Sequence, residues 1–86
     1  MNIFELTPTN GRKSFGGKAI VREAFEVSTL FSYGTEVAQY NHQTNEMKVD
    51  GYFSATTGTH INAFLEFYGF DKCTKKELET RYNLKG

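Results

Sequence analysis

The chain has 86 residues, and ten Lys and Arg balance ten Asp and Glu for a formal net charge of zero. Two separate cores would each be too small to stabilise themselves at this length, so a single domain over residues 1–86 is expected. Hydrophobic residues at 38%, one Pro and eight Gly exclude a disordered composition, and the balanced charge excludes a uniformly basic nucleic-acid binder.

With eight Phe, five Tyr and no Trp, aromatic rings must carry much of the core. Apolar runs such as Ala19-Ile20-Val21 and Ala63-Phe64-Leu65 fall far short of the roughly 20 residues a spanning helix needs, so no membrane segment is expected. The first residues, Met-Asn-Ile-Phe-Glu-Leu, lack the basic and apolar regions of a secretory signal. Cys73 stands alone, which rules out an intramolecular disulfide. A cytoplasmic protein is the expectation.

Residues 1–18 read as an irregular N-terminal arm. Pro8, the turn signal Thr9-Asn10-Gly11 and the pair Gly16-Gly17 interrupt any period, and Ile3, Phe4 and Leu6 form a short apolar anchor. Residues 19–53 read as sheet. Ala19, Val21, Phe25 and Val27 share one parity while Arg22 and Glu26 share the other, the period of a half-buried strand. Thr29–Tyr33 and Thr35–Tyr40 follow as two strands separated near Gly34. Asn41–Asn45 is a polar hairpin loop, and Met47 and Val49 alternate with Lys48 and Asp50 in a fourth strand.

Residues 56–82 read as helices. Ile61, Phe64, Leu65 and Tyr68 recur at i, i+3, i+4 and i+7, the stripe of an amphipathic helix. Thr56 or Thr57 is expected to cap its start, and Gly69 suits the left-handed residue that ends it. Thr74-Lys75-Lys76-Glu77 has capping-box spacing, which predicts a shorter second helix to about Tyr82 with Leu78 and Tyr82 buried. The fold class is therefore α+β: an antiparallel sheet of three to four strands followed by one main helix and a short C-terminal helix on one face.

The neutral total conceals a segregated layout. Residues 1–22 carry a net +3 and residues 72–86 another +3, whereas residues 23–71 carry −6, with Lys48 their only Lys or Arg. One account is a surface acidic enough to engage a basic partner. The other is a solvated face neutralised by the basic ends folding over it. Within the acidic stretch Glu36, Glu46 and Asp50 are the candidate partner-binding carboxylates, with Tyr33 and Tyr40 as aromatic anchors, since Tyr joins apolar area to a hydroxyl at interfaces. The alternative, a small nucleic-acid-binding accessory protein, would draw its phosphate contacts from Arg12, Lys13, Lys18, Lys72, Lys75 and Lys76.

Ser54, Thr56, Thr57, Thr59 and His60 gather where the main helix begins. Free backbone N–H groups there attract anions, yet the same hydroxyls satisfy those groups by capping. His60 would serve as a general base for Ser54 only with an orienting carboxylate, and none lies at recognisable spacing. His42, His60 and Cys73 are not spaced as ligand pairs, so no metal and no other cofactor is expected, and no enzymatic role.

The stretches Ser32-Tyr33-Gly34-Thr35-Glu36-Val37-Ala38 and Gly51-Tyr52-Phe53-Ser54-Ala55-Thr56-Thr57, the latter continuing through His60-Ile61, Phe64-Leu65 and Gly69-Phe70, carry a resemblance. With Ser14–Ala19 upstream, residues 14–70 resemble a family of small proteins from phages, plasmids and integrated elements of Gram-positive bacteria that shares the pattern S-x-T-T-x-x-H-I-x-x-F-L-x-x-x-G-F. The chain departs from it at Tyr52, where Trp is frequent, and at Gly16, where an aromatic is common. The resemblance brings no catalytic residues. It implies a mobile-element context, in which compact acidic proteins similar to type II anti-CRISPR proteins occupy the basic DNA channel of Cas9. The expected function is thus a non-enzymatic inhibitor of a host defence effector of the Cas9 type, monomeric or homodimeric.

Overall fold

Tight hairpins dominate the first two thirds of the chain. A computed structural model describes residues 2–7, 16–51 and 55–82. Five strands form one antiparallel sheet in chain order: β1 (Asn2–Glu5), β2 (Ala19–Ala24), β3 (Val27–Ser32), β4 (Thr35–Asn41) and β5 (Glu46–Val49). Two helices follow, α1 (Ala55–Phe67) and α2 (Lys75–Arg81). The α+β class and the helix order are as expected. The sheet has five strands rather than three to four.

The additional strand is β1. Asn2–Glu5, expected within an irregular arm, pairs with β2 through Phe4 opposite Val21 and Glu5 opposite Ile20. Four residues are too few to display a period of two, so only the partner strand reveals it. The chain also turns where a continuous strand was expected. Ala24 pairs with Val27 across a two-residue turn in which Phe25 and Glu26 have φ of 52° and 65°. Both lie in the left-handed region, which two-residue hairpins require and which Asn-Gly normally supplies. Phe-Glu gives no such signal. In the next hairpin Tyr33 (φ 53°) and Gly34 (φ 80°) join Ser32 to Thr35, and there the glycine is legible.

Pleating sends alternate residues to opposite faces. Val21, Leu30, Ala38 and Val49 face one another in register across β2 to β5 and are all buried, a transverse apolar row on the inner face. A register shift at Leu30/Phe31 leaves Val37 without a partner on β3. Val37 is buried beside Ala38, and its carbonyl accepts from the Asp50 and Gly51 amides at 2.7 and 3.3 Å, which fixes the exit of β5. Ile61, Phe64 and Leu65 of α1 and Leu78 of α2 complete the core against this row, with Leu6 entering from the end of β1.

Helix α1 ends in a Schellman motif. The Phe70 amide bonds the Leu65 carbonyl at 2.8 Å, the Gly69 amide bonds that of Glu66 at 3.1 Å, and Gly69 has φ of 85°. Its start corrects the expected cap: Ala55 is already helical, so Thr56 and Thr57 lie inside the first turn. For α2 the capping box forms as predicted, Thr74 Oγ1 accepting from the Glu77 amide at 3.2 Å and Glu77 Oε1 from the Thr74 amide at 3.0 Å. Asn62 clamps the link between the helices, donating to the Cys73 carbonyl at 2.9 Å and accepting from its amide at 2.7 Å. Among the described residues no helix is long and apolar enough to cross a membrane.

The Phe25-Glu26 turn yields a stability prediction. A non-glycine residue in the left-handed region costs about 1–2 kcal/mol, and Phe25 is 99% exposed, so its ring contributes no core packing. Replacing the pair by Phe25→Asn with Glu26→Gly should raise stability by about 1 kcal/mol or more, which for a domain of this size is about 4–8 °C per kcal/mol in a thermal melt.

Candidate interaction site

Strand register decides which side chains share the outer face. Ile3 and Glu5 come from β1, Ile20, Arg22 and Ala24 from β2, and Val27, Thr29 and Phe31 from β3. Glu36, Gln39 and Asn41 of β4 and Glu46 and Lys48 of β5 complete it. Both helices pack on the other side, against the buried row. Among the described residues no helix covers the outer face.

Three of the expected partner-binding residues stand there or at its rim. Glu36 is exposed and accepts from Gln39 Nε2 at 3.1 Å. Glu46 is exposed at the start of β5. Asp50, just beyond β5, is engaged by Lys48 Nζ at 3.5 Å. Among the described residues neither Glu36 nor Glu46 forms an ion pair. Tyr33 is 56% exposed at its hairpin tip, with Lys18 Nζ 5.9 Å above its ring.

Tyr40 is a correction. It is only 9% exposed, faces inward opposite Ser28 and Met47, and stacks on Tyr68 with ring centroids 4.8 Å apart. Its hydroxyl donates to Asn45 Oδ1 at 2.9 Å. It shares the parity of buried Ala38, and that period excludes it from the surface anchors. Among the basic candidates, Lys72 pairs with Glu66 at 3.6 Å and Lys75 and Lys76 are exposed on the first turn of α2, in the helical layer. Arg12, Lys13 and Ser54 lie outside the described residues.

The inner face holds two polar clusters that sequence reading missed. In the first, Ser28 is fully buried, with its Oγ 2.7 Å from His42 Nε2 and 3.4 Å from Glu23 Oε2. The Tyr68 hydroxyl reaches both Ser28 Oγ at 2.7 Å and Glu23 Oε2 at 3.1 Å. Burial pushes Tyr68 up to about 12; the Ser28 hydrogen bond opposes that shift and the Glu23 carboxylate adds to it. In the second, buried Ser32 Oγ lies 2.7 Å from His60 Nδ1 and donates to Thr57 Oγ1 at 3.4 Å. Burial holds the His60 imidazole below its ordinary value of 6.5. Both serine hydroxyls are sealed beneath the helical layer, so neither Ser–His contact presents a nucleophile to a solute. Among the described residues no group of three His, Cys, Asp or Glu is placed to hold a metal ion.

The model of a family of unknown function, DUF8033, matches residues 4–80. The chain belongs to DUF8033. The match runs from Phe4 in β1 to Thr80 in α2, so the DUF8033 unit takes in both layers and all of the outer face named above except Ile3. No curated protein and no solved structure matches the chain.

Two signals could have located the missed clusters. Ser28 and Ser32 share the parity of Leu30, which places them on the covered face. His60 precedes Phe64 and Leu65 by four and five positions on the buried stripe of α1. Because the folded state disfavours protonated His60, the unfolded chain binds its proton more readily. The contribution is fully present above 6.5 and is lost as pH falls through and below it. Urea unfolding at pH 7.5 and 5.5 should show lower stability at the acidic value, with a smaller difference in His60→Gln.

Proposed function

We propose that this DUF8033 protein is a non-enzymatic binding protein of a mobile element, acting in the cytoplasm of a bacterial host. It occupies a cationic surface of a host defence effector, in the most specific form the nucleic-acid channel of a Cas9-type nuclease. The observation that carries the reading is the outer face, which no helix covers among the described residues and on which Glu36 and Glu46 stand without cationic partners among those same residues. The described basic residues of the C-terminal stretch offer these carboxylates no cover. Lys72 and Arg81 are bound to Glu66 and Glu77 in the helical layer. The Ser54–Phe70 resemblance supports the mobile-element context.

Nucleic acid as the direct ligand is the weaker reading. Lys18 belongs to the sheet layer beside Tyr33, whereas Lys72, Lys75 and Lys76 belong to the helical layer, and Lys72 is already paired. A phosphate footprint would need these charges on one track.

Inhibition of DNA cleavage by a panel of purified Cas9 orthologues tests the specific form. Glu36→Lys combined with Glu46→Lys should weaken the complex at least about tenfold, chiefly through slower association that is fastest at low salt. No inhibition and no complex across the panel removes the Cas9 form. A complex indifferent to both salt and charge reversal removes the acidic-face mechanism.

A further inference from the structure

The end of the outer face that carries the β2–β3 turn is shaped as well as charged. Phe25, 99% exposed, rises from a turn whose two central residues are both left-handed without glycine. The turn is nonetheless held firmly. Ala24 and Val27 pair beneath it, and the His42 amide donates to the Glu26 carbonyl at 2.8 Å, tying the tip to the end of β4. A large apolar ring displayed on a pinned, strained backbone gains nothing for the monomer. For a partner it is an anchor already ordered, which lowers the entropic cost of association.

Two grooves meet beside it. One runs over Ala24, Val27 and the buried Thr29, with Phe25 as its wall; the other runs over Asn41 to Glu46. They share Val27 and Gln39, so the track is continuous from Phe25 to Glu46. Val27, Asn41 and Glu46 lie in register on adjacent strands. Two interstrand steps separate the apolar end from the carboxylate, about 10 Å, the reach of about three extended residues. Among the described residues the cations of this face, Arg22 over the Phe31 ring at 5.2 Å and Lys48 at 3.5 Å from Asp50, also line the two grooves. Glu5, Glu36 and Glu46 on this face, with Glu26 at the tip and Asp50 at the rim, outnumber those two cations among the described residues, a balance that opposes a second copy of the same face and favours a cationic guest.

We propose that this track receives an extended segment of a protein partner, with an apolar side chain seated against Phe25 and a Lys or Arg two to three positions away seated against Glu46. The proposal rests on the reading of the outer face as a docking surface and adds the chemistry of what docks. Glu46 fixes the orientation of the segment, and Phe25 supplies most of the contact area.

A random peptide library displayed on phage and panned against the full chain tests it. Enriched peptides should share an apolar residue followed or preceded at that spacing by Lys or Arg. As synthetic peptides they should bind at least about tenfold more weakly to the Phe25→Asn, Glu26→Gly variant, whose melt is at or above that of the native chain, and several-fold more weakly to Glu46→Lys, with the salt dependence diminished. Panning that yields no shared motif, a motif without the cation, or peptides indifferent to the turn replacement overturns the proposal. So does a concentration-dependent dimer that the same replacement dissolves, since a second copy would then be the occupant. Peptides that require Phe25 while no Cas9 orthologue binds leave the track standing and remove only the named effector. An orthologue that binds the turn variant as well as the native chain does the reverse.

Discussion

A five-stranded meander has two broad faces, and the helical content of this chain suffices to cover one. The row Val21–Leu30–Ala38–Val49 is completed by Ile61, Phe64 and Leu65 from α1 and by Leu78 from α2. Everything else about the molecule follows from that asymmetry. The covered face must be apolar or fully hydrogen-bonded, and the open face is free to carry charge. The −6 of the central segment is tolerable because much of it projects to the open side or to turns, as Glu26, Glu36, Glu46 and Asp50 do. Burial of any one of them unpaired would cost more than a small domain holds in reserve.

Polar groups admitted to the covered side obey a stricter rule. Among the described residues no buried side-chain nitrogen or oxygen lacks a hydrogen-bond partner. Ser28 and Ser32, on one side of β3, each meet a histidine and a second hydroxyl: His42 and Tyr68 for the first, His60 and Thr57 for the second. Flanking Leu30, they bracket the apolar row with bonds that form in only one strand register and one rotation of α1. A one-residue slip of β3 would carry both hydroxyls to the open face and take the Ser32 partner from Nδ1 of the buried His60. Apolar packing sets the layers together, and these contacts fix how they meet.

The legibility of the sequence follows the same division. The periods of β3, β4 and α1 and the capping box of α2 were readable because each is a local pattern written in several residues. Gly34 and Gly69 marked their turns because a left-handed backbone normally calls for glycine. What escaped was non-local or contrary to propensity. β1 is too short to announce itself, Phe25-Glu26 contradicts the turn it makes, and the Ser28 cluster joins residues 23, 28, 42 and 68. Of the candidate partner-binding residues, Glu36, Glu46, Asp50 and Tyr33 are exposed, which charge and residue type alone suggest. Tyr40 differs because it shares the parity of Ala38, which faces the same way and is fully buried.

The two ends of the sheet show what such contradictions signify. At the Tyr33–Gly34 turn, the exposed ring lies near Lys18 and the His60 imidazole, so it has neighbours within the chain, and glycine relieves half of the backbone strain. At the Phe25–Glu26 turn no glycine relieves the strain, and the ring is 99% exposed. Neither the backbone nor the core accounts for Phe25, because a two-residue turn of Asn and Gly would fold more readily and a polar side chain would dissolve better. Natural sequences are locally consistent where only folding is at stake, and departures concentrate where a surface is used. The departure here coincides with the one large face the helices leave open and with carboxylates unmatched among the described residues. The inconsistency and the opportunity for contact occupy the same place in the fold, and that coincidence is a stronger guide to use than charge alone.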